Sequence, residues 1–330
     1  QPYRVYRYSI SRRMSSLIPL YNTLYLYYRH RYDVVFLGHF MSTHALGALL
    51  LRKICRVPYV FLTHGNDLNC SIKTWLDKVV AGKLHWLIGN ADMMLGNSHY
   101  TAKRIRQKGY EGPINVLNPG VDTRQFRPGL DTASIKRKYG LNGHRVLLTT
   151  ARLVARKNID SVLRALPRVI EQVPNVIYMI AGEGEERGRL VALCEDLGLL
   201  TYVRFLGYVK DDLLPFLYCV SDLFIMPSYA LDGGRDYEGF GISFVEASAC
   251  GLPVIGGLAG GTADAIIDGE TGILVGPHNI DEIAGAILRL LNDKVYARRL
   301  GENGRERVVQ EFGWEKVSKR LESILTEITE

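Results

Sequence analysis

Glu238 and Glu246 bracket the run Glu238-Gly239-Phe240-Gly241-Ile242-Ser243-Phe244-Val245-Glu246, with seven residues between the two carboxylates. A glycine-flanked turn carries the first. The second falls on a helix predicted to open at about Phe240 and to end at Gly251-Leu252-Pro253, ahead of a strand at Val254-Ile255. The start of such a helix offers an anion unpaired backbone N–H groups and a positive dipole end. Gly239 and Gly241 let the backbone approach closely. At 1.5 Å per residue the carboxylates are spread over roughly 12 Å. That spread suits a nucleotide sugar, with the diphosphate on the helix end and hydroxyls on the two carboxylates.

Positioning these groups falls to a strand–helix alternation that runs through the chain. Predicted strands in the first part are Arg4–Ile10, Asp33–Leu37, Tyr59–Thr63, Met93–Asn97 and Ile114–Leu117. In the second part they are Val146–Ala151, Val176–Ala181, Val203–Leu206, Leu223–Met226, Val254–Ile255 and Gly272–Val275. Helical patterns between them include Thr43–Lys53, Ile159–Val173, Glu185–Leu197, Asp281–Leu291 and Trp314–Ile328. This alternation implies doubly wound parallel sheets, which bind ligands beyond the carboxyl ends of their strands. His64, Arg152, Gly182-Glu183-Gly184 and Gly207 all closely follow predicted strands, so a single cleft is within their reach.

Further short runs accompany the glutamate pair. They are Thr63-His64-Gly65-Asn66-Asp67, Asn97-Ser98, Asn118-Pro119-Gly120-Val121-Asp122, Ala151-Arg152-Leu153 through Lys157, Ala181-Gly182-Glu183-Gly184, Phe205-Leu206-Gly207 and Asp268-Gly269-Glu270-Thr271-Gly272. Together, and in this order, they resemble the retaining glycosyltransferases of family 4. The resemblance implies an α/β chain of the GT-B fold: two Rossmann-like, doubly wound parallel-sheet domains facing a cleft. It places an acceptor-side domain at 1–126, a nucleotide-sugar domain at 127–312, after the linker Phe126-Arg127-Pro128-Gly129, and a helix at 313–330 that crosses back to the first domain. Family members open with a strand and a glycine-rich loop that are not recognisable here, so the N-terminal domain is expected to be incomplete.

The resemblance also assigns roles. Glu238 would contact donor-sugar hydroxyls and stabilise charge at the anomeric carbon; Glu246 would accept bonds from the ribose. Arg152 and Lys157 would grip the diphosphate, Arg with a fork of donors and Lys as a point charge. Ala151 stands where the family usually has glycine. Gly239, Phe240 and Gly241 would present N–H groups to a phosphate, and the Gly207-Tyr208-Val209 backbone would meet the base. His64 would face the donor sugar, and Asp67 would contact acceptor or orient its loop. The sequence has no Asp-x-Asp motif, so no metal or other cofactor is expected and fixed cations must serve the leaving group. The bland alternatives are a helix-capping role for Glu238 and a surface pairing of Arg152 and Lys157 near Asp160; Arg156 reads as an ordinary surface cation. Gly260-Gly261 reads as shaping the sheet rim.

Composition constrains the rest. The 330 residues are 47% hydrophobic and 23% charged, with net charge +7 and pI near 9.1, ample for two cores. No apolar run spans a bilayer and no signal-peptide layout opens the chain. Five scattered cysteines without C-x-x-C spacing argue for reduced thiols in a cytoplasmic protein. Arg4, Arg7, Arg12, Arg13, Arg29 and Arg31 precede the first acid, Asp33, and lie among Tyr21, Tyr25, Tyr27, Tyr28 and Tyr32. That segment reads either as a surface resting on an anionic membrane or as a solvated face over a core helix. No nucleic-acid-reading motif is present. The expected function is transfer of a hexose from a nucleotide sugar to a glycan or lipid-linked acceptor. The run from Gly233 to Ala265 is similar to members using GDP-mannose, with UDP-sugars next. A UDP-sugar 2-epimerase-like enzyme and a non-catalytic nucleotide-sugar-binding subunit are the alternatives.

Overall fold

Alternation along the strands explains how the second half of the chain folds. The computed structural model describes residues 18–38, 42–65, 86–231, 233–234 and 236–330. The predicted strand Arg4–Ile10, the basic residues Arg4 to Arg13, Asn66, Asp67, Cys70 and Arg235 lie outside the described residues. Packing divides the chain into two units, one comprising Gln1–Gly96, Ala102–Val116 and Glu322–Glu330, the other Asn97–Thr101 and Leu117–Leu321.

The second unit holds a six-stranded parallel sheet in the order β10-β9-β8-β5-β6-β7. Its strands are β5 (Arg145–Thr150), β6 (Val176–Ala181), β7 (Val203–Gly207), β8 (Leu223–Met226), β9 (Val254–Gly257) and β10 (Ile273–Val275). Successive side chains face opposite ways. Leu147, Tyr178, Ile180, Leu223 and Ile225 enter one core, with the helices Ile159–Gln172 and Ile280–Asn292. Val146, Leu148, Ile177, Met179, Phe224 and Met226 enter the other, with Leu214–Val220 and Ile242–Ala249. Both faces are covered, so the strands read as unbroken apolar runs. Each fully buried Leu or Ile stabilises this arrangement by ~1.5–3 kcal/mol.

Chain order sets where a ligand can enter. From β5 the chain moves outward through β6 and β7, then returns to place β8 on the other side of β5. The strand order therefore reverses between β5 and β8, and their diverging connections leave a crevice at the carboxyl ends.

The first unit carries a four-stranded parallel sheet, β1 (Val35–Leu37), β2 (Tyr59–Thr63), β3 (Met93–Gly96) and β4 (Ile114–Val116), in that order. Its core gathers Leu49, Tyr59, Phe61, Met94, Ile105 and Tyr110. Asp92 ties β2 to the helix Ser42–Cys55, accepting from Arg52 Nε at 2.8 Å and from the Tyr59 N–H at 3.0 Å.

Most predicted elements match to within two residues. The helix carrying Glu246 starts at Ile242 rather than Phe240. Its N-cap is Gly241, at φ 93°, where an added Cβ would run into the Phe244 ring. The two extra residues are therefore spent on a left-handed turn that only glycine enters readily.

Candidate active site

At the carboxyl edge of the second sheet a cavity of about 420 Å³ opens at the switch point. Thr150, Ala151 and Arg152 follow β5, Gly182 and Glu183 follow β6, and Tyr208 and Val209 follow β7. Ile242, Ser243 and Glu246 close it from the helix after β8. Residues up to ninety-six positions apart meet here because parallel strands deliver their connections to one edge. Arg152 is exposed, lines the cavity, and lies close enough to Lys157 to influence its ionisation.

The N-terminus of the helix Ile242–Ala249 points its amides at this cavity. Phe244 N–H bonds to the Gly241 carbonyl, while no backbone hydrogen bond among the described residues engages the N–H groups of Phe240, Gly241, Ile242 or Ser243. These are the orphan donors of a helix start. Phe240 itself is buried against the Phe312 ring, so it contributes backbone and not side chain. Gly207 lies beneath the cavity, its carbonyl accepting from Gly182 N–H at 2.8 Å, and leaves Tyr208 74% exposed above.

Glu246 is held by a partner that sequence reasoning missed. Tyr218 Oη donates to Glu246 Oε2 at 2.8 Å. Its single proton is thereby committed, so the 2.6 Å contact with Thr150 Oγ1 is a bond donated by the threonine. The relay Thr150–Tyr218–Glu246 crosses from β5 through the helix Leu214–Val220 to the helix after β8. Burial raises the Glu246 carboxyl to about 7; the Tyr218 hydroxyl pulls it down and Asp211 pushes it up. The Tyr218 phenol is itself driven upward, first by burial and then by Glu246. A tyrosine on a seven-residue helix carries no periodic signal, so nothing in the residue pattern marks it.

Glu238 lies in a buried charge cluster, not at a helix cap. Lys157 Nζ and Arg156 Nη1 both bond to its Oε2, the arginine at 2.9 Å. Arg156 Nε also reaches Asp236 Oδ1 at 3.0 Å. Among the described residues no hydrogen bond falls on Glu238 Oε1. Burial opposes ionisation of Glu238, but Lys157 and Arg156 outweigh it and hold the carboxyl below its usual range. Burial also depresses the Lys157 ammonium, with Glu238 resisting. One expectation is corrected here. Arg156 is buried and bonded to Glu238, whereas sequence reading made it a surface cation. Lys157, which the resemblance places at the diphosphate, is likewise buried and bonded to Glu238, and Asp160 of the bland alternative pairs with Arg189. A left-handed turn at Asn158, φ 57°, closes the short helix Ala155–Lys157 that carries both cations.

Gly260-Gly261 also has a more specific place than the sheet rim. Gly261 N–H donates to the Glu238 carbonyl at 2.8 Å, so the pair supports the glutamate loop. Other runs prove to be structural turns. Ser98 Oγ accepts the Thr101 N–H at the start of the helix His99–Gln107. Asp268 Oδ1 accepts the Leu274 N–H at the entry to β10. His64 follows β2 in the first unit, exposed, with Nε2 3.1 Å from the Gly38 carbonyl.

Residues 131–307 match the family model Glycosyl transferases group 1, and residues 2–125 match Glycosyltransferase Family 4. The chain belongs to the family 4 glycosyltransferases. This glycosyltransferase is 34% identical over 300 residues to a GDP-mannose-dependent alpha-(1-6)-phosphatidylinositol monomannoside mannosyltransferase of Mycolicibacterium smegmatis, covering 90% of this chain and 77% of that one. A monoacylated alpha-(1-6)-phosphatidylinositol monomannoside mannosyltransferase of Corynebacterium glutamicum, also GDP-mannose-dependent, is 33% identical over 268 residues, covering 80% and 68%. Among solved structures, sucrose-phosphate synthase from Thermosynechococcus elongatus aligns with a TM-score of 0.76 at 24% identity, covering 94% of this chain and 77% of that one. Anabaena Alr3699/HepE in complex with UDP aligns at 0.79 and 23%, covering 93% and 82%. At that identity the likeness establishes the GT-B fold.

Proposed function

We propose that this glycosyltransferase moves a hexose from a nucleotide diphosphate sugar to a hydroxyl of a glycan or glycolipid, with retention of anomeric configuration and without a metal. GDP-mannose is the favoured donor, supported by the mannosyltransferase relatives; UDP-sugars come next. The observation that carries the reading is the switch-point cavity, where Arg152, an open helix N-terminus and Glu246 converge. The nucleotide's ribose hydroxyls donate to Glu246. The diphosphate lies along Arg152 and the open amides of the helix start, two sources of fixed positive charge that need no reorganisation as the leaving group develops charge. Oε2 of Glu238 is occupied by Lys157 and Arg156, which leaves Oε1 for a donor-sugar hydroxyl. The acceptor oxygen bonds to the anomeric carbon on the face the phosphate leaves. The carbon–phosphate oxygen bond breaks, and the acceptor's proton passes to the departing phosphate, so no protein nucleophile is assigned.

The acceptor side is read from the first unit. Tyr21, Tyr25 and Tyr28 are exposed on the helix Ile18–His30, the first two stacked 5.9 Å apart, and Arg29, His30 and Arg31 follow. Aromatic rings beside cations suit the interface of an anionic bilayer, which would bring the enzyme to a lipid-linked acceptor as a peripheral protein. Among the described residues no helix is long and apolar enough to cross a membrane.

The test is isothermal calorimetry with GDP, UDP and ADP in metal-free buffer, on the wild type and on Arg152→Ala. Tight binding of GDP, lost by about tenfold or more in the variant, is expected from loss of a charge-assisted contact to phosphate. Binding of UDP alone would overturn the GDP-mannose assignment. Equal affinity in wild type and variant would overturn the placement of the diphosphate.

A further inference from the structure

Two cysteines lie directly behind the nucleotide carboxylate. Cys219 follows Tyr218 on the helix Leu214–Val220, and Cys250 lies one turn after Glu246, its N–H donating to the Glu246 carbonyl at 3.2 Å. These two helices pack side by side in one core. Cys250 Sγ lies 4.0 Å from the Pro215 carbonyl, one helical turn before Cys219. Cys219 Sγ is 3.2 Å from the Arg127 carbonyl, and Cys219 packs against the same core that contains Cys250. Cys219 is half-buried and Cys250 is 6% exposed.

We propose that Cys219 and Cys250 form a reversible redox pair whose disulfide shifts the Tyr218–Glu246 contact and so weakens nucleotide binding. The chemistry is asymmetric, as a sensor pair requires: an accessible, acidic thiol beside a resolving one. The Cys250 thiol holds Cys219 down at about 7, against the opposing effect of burial. Cys250 is pushed far up by the same contact and by its own burial. Cys219 therefore attacks first. With oxidised glutathione as the oxidant, its thiolate bonds to one glutathione sulfur and expels the other as a thiolate. The adduct carries no charge at Cys219, so the repulsion that kept Cys250 protonated is gone. Cys250 then gives up its proton, attacks Cys219 Sγ and expels the second glutathione. Two protein thiols lose two electrons and two protons, and one glutathione disulfide becomes two thiols.

Bond formation must draw the two sulfurs together to about 2.05 Å, moving both helices. Tyr218 is adjacent to one end of that movement and Glu246 is one turn from the other. The effect on affinity rests on the nucleotide site proposed above; the bond itself does not.

The experiment uses the full chain with Cys55→Ser and Cys70→Ser, exposed to oxidised glutathione and mapped by peptide mass spectrometry. A Cys219–Cys250 linked peptide that disappears on reduction is expected. Cys250→Ser should stop at a stable glutathione adduct on Cys219. Two free thiols, or a wild-type adduct that never resolves, would overturn the pairing. GDP calorimetry on the bridged protein should show affinity lower by about tenfold, the worth of one charge-assisted hydrogen bond, restored by reductant. Unchanged affinity in the bridged form would overturn the coupling. If the reduced protein binds no nucleotide, the functional reading fails, while the mapping still decides the pairing.

Discussion

Tyr218→Phe removes one oxygen from the middle of the Thr150–Tyr218–Glu246 relay and leaves the ring where it is. The ring's neighbours, Phe126 at 6.0 Å and Phe224 at 5.8 Å between centroids, keep their contacts. Loss of the hydroxyl orphans Thr150 Oγ1 and takes from Glu246 the donor that favours its ionised form. A hydrogen bond to a charged group is worth about 1.5–3 kcal/mol, which moves the Glu246 carboxyl from about 7 toward about 8 or 9. Ribose hydroxyls bind the ionised carboxylate, so nucleotide affinity in the wild type should rise about tenfold from pH 6 to pH 8 as Glu246 loses its proton. In Tyr218→Phe that rise should be displaced upward by a pH unit or more, and affinity at pH 7 should fall. The stability effect has the opposite sense. Because the folded value is raised, Glu246's contribution to stability is fully present below the unfolded carboxylate range and is lost as pH rises through about 7. The variant should lose it later. The assay is GDP calorimetry in half-unit steps from pH 6 to pH 9, with thermal melts at each pH. An affinity that is flat across this range in the wild type, or a profile with the same midpoint in both proteins, would refute the reasoning.

Glu238→Gln leaves Lys157 and Arg156 buried without their anion. It should lower the melting temperature by several degrees, for about 2–4 kcal/mol lost, and reduce kcat far more than donor affinity; adding Lys157→Met should recover stability but not turnover. Gly261→Ala would push a methyl onto the Gly239 carbonyl oxygen and displace the Glu238 loop. Its turnover should fall while the melting temperature changes by less than in Glu238→Gln; wild-type turnover would show that the loop needs no such support. Sedimentation with vesicles containing phosphatidylserine should retain the wild type and lose the Tyr21→Ser, Tyr25→Ser, Tyr28→Ser triple variant; equal retention would remove the tyrosines from the membrane reading.

The described strands, most long helices and the meeting of Arg152, Gly182 and Glu183 at one sheet edge are legible in the residues. The reason is local. Apolar runs bounded by turn residues mark parallel strands, and parallel strands bring their connections to one side. Tertiary structure decided what surrounds the carboxylates. Arg156 reads as one more surface cation until the fold brings it to Glu238, eighty-two positions along the chain. Tyr218 becomes a partner of Glu246 only because two short helices share a core face. A sequence records which residues can ionise or donate; the low-polarity surroundings that shift Glu246 to about 7, and the partners that hold Glu238 ionised, exist only once segments distant in the chain exclude water together.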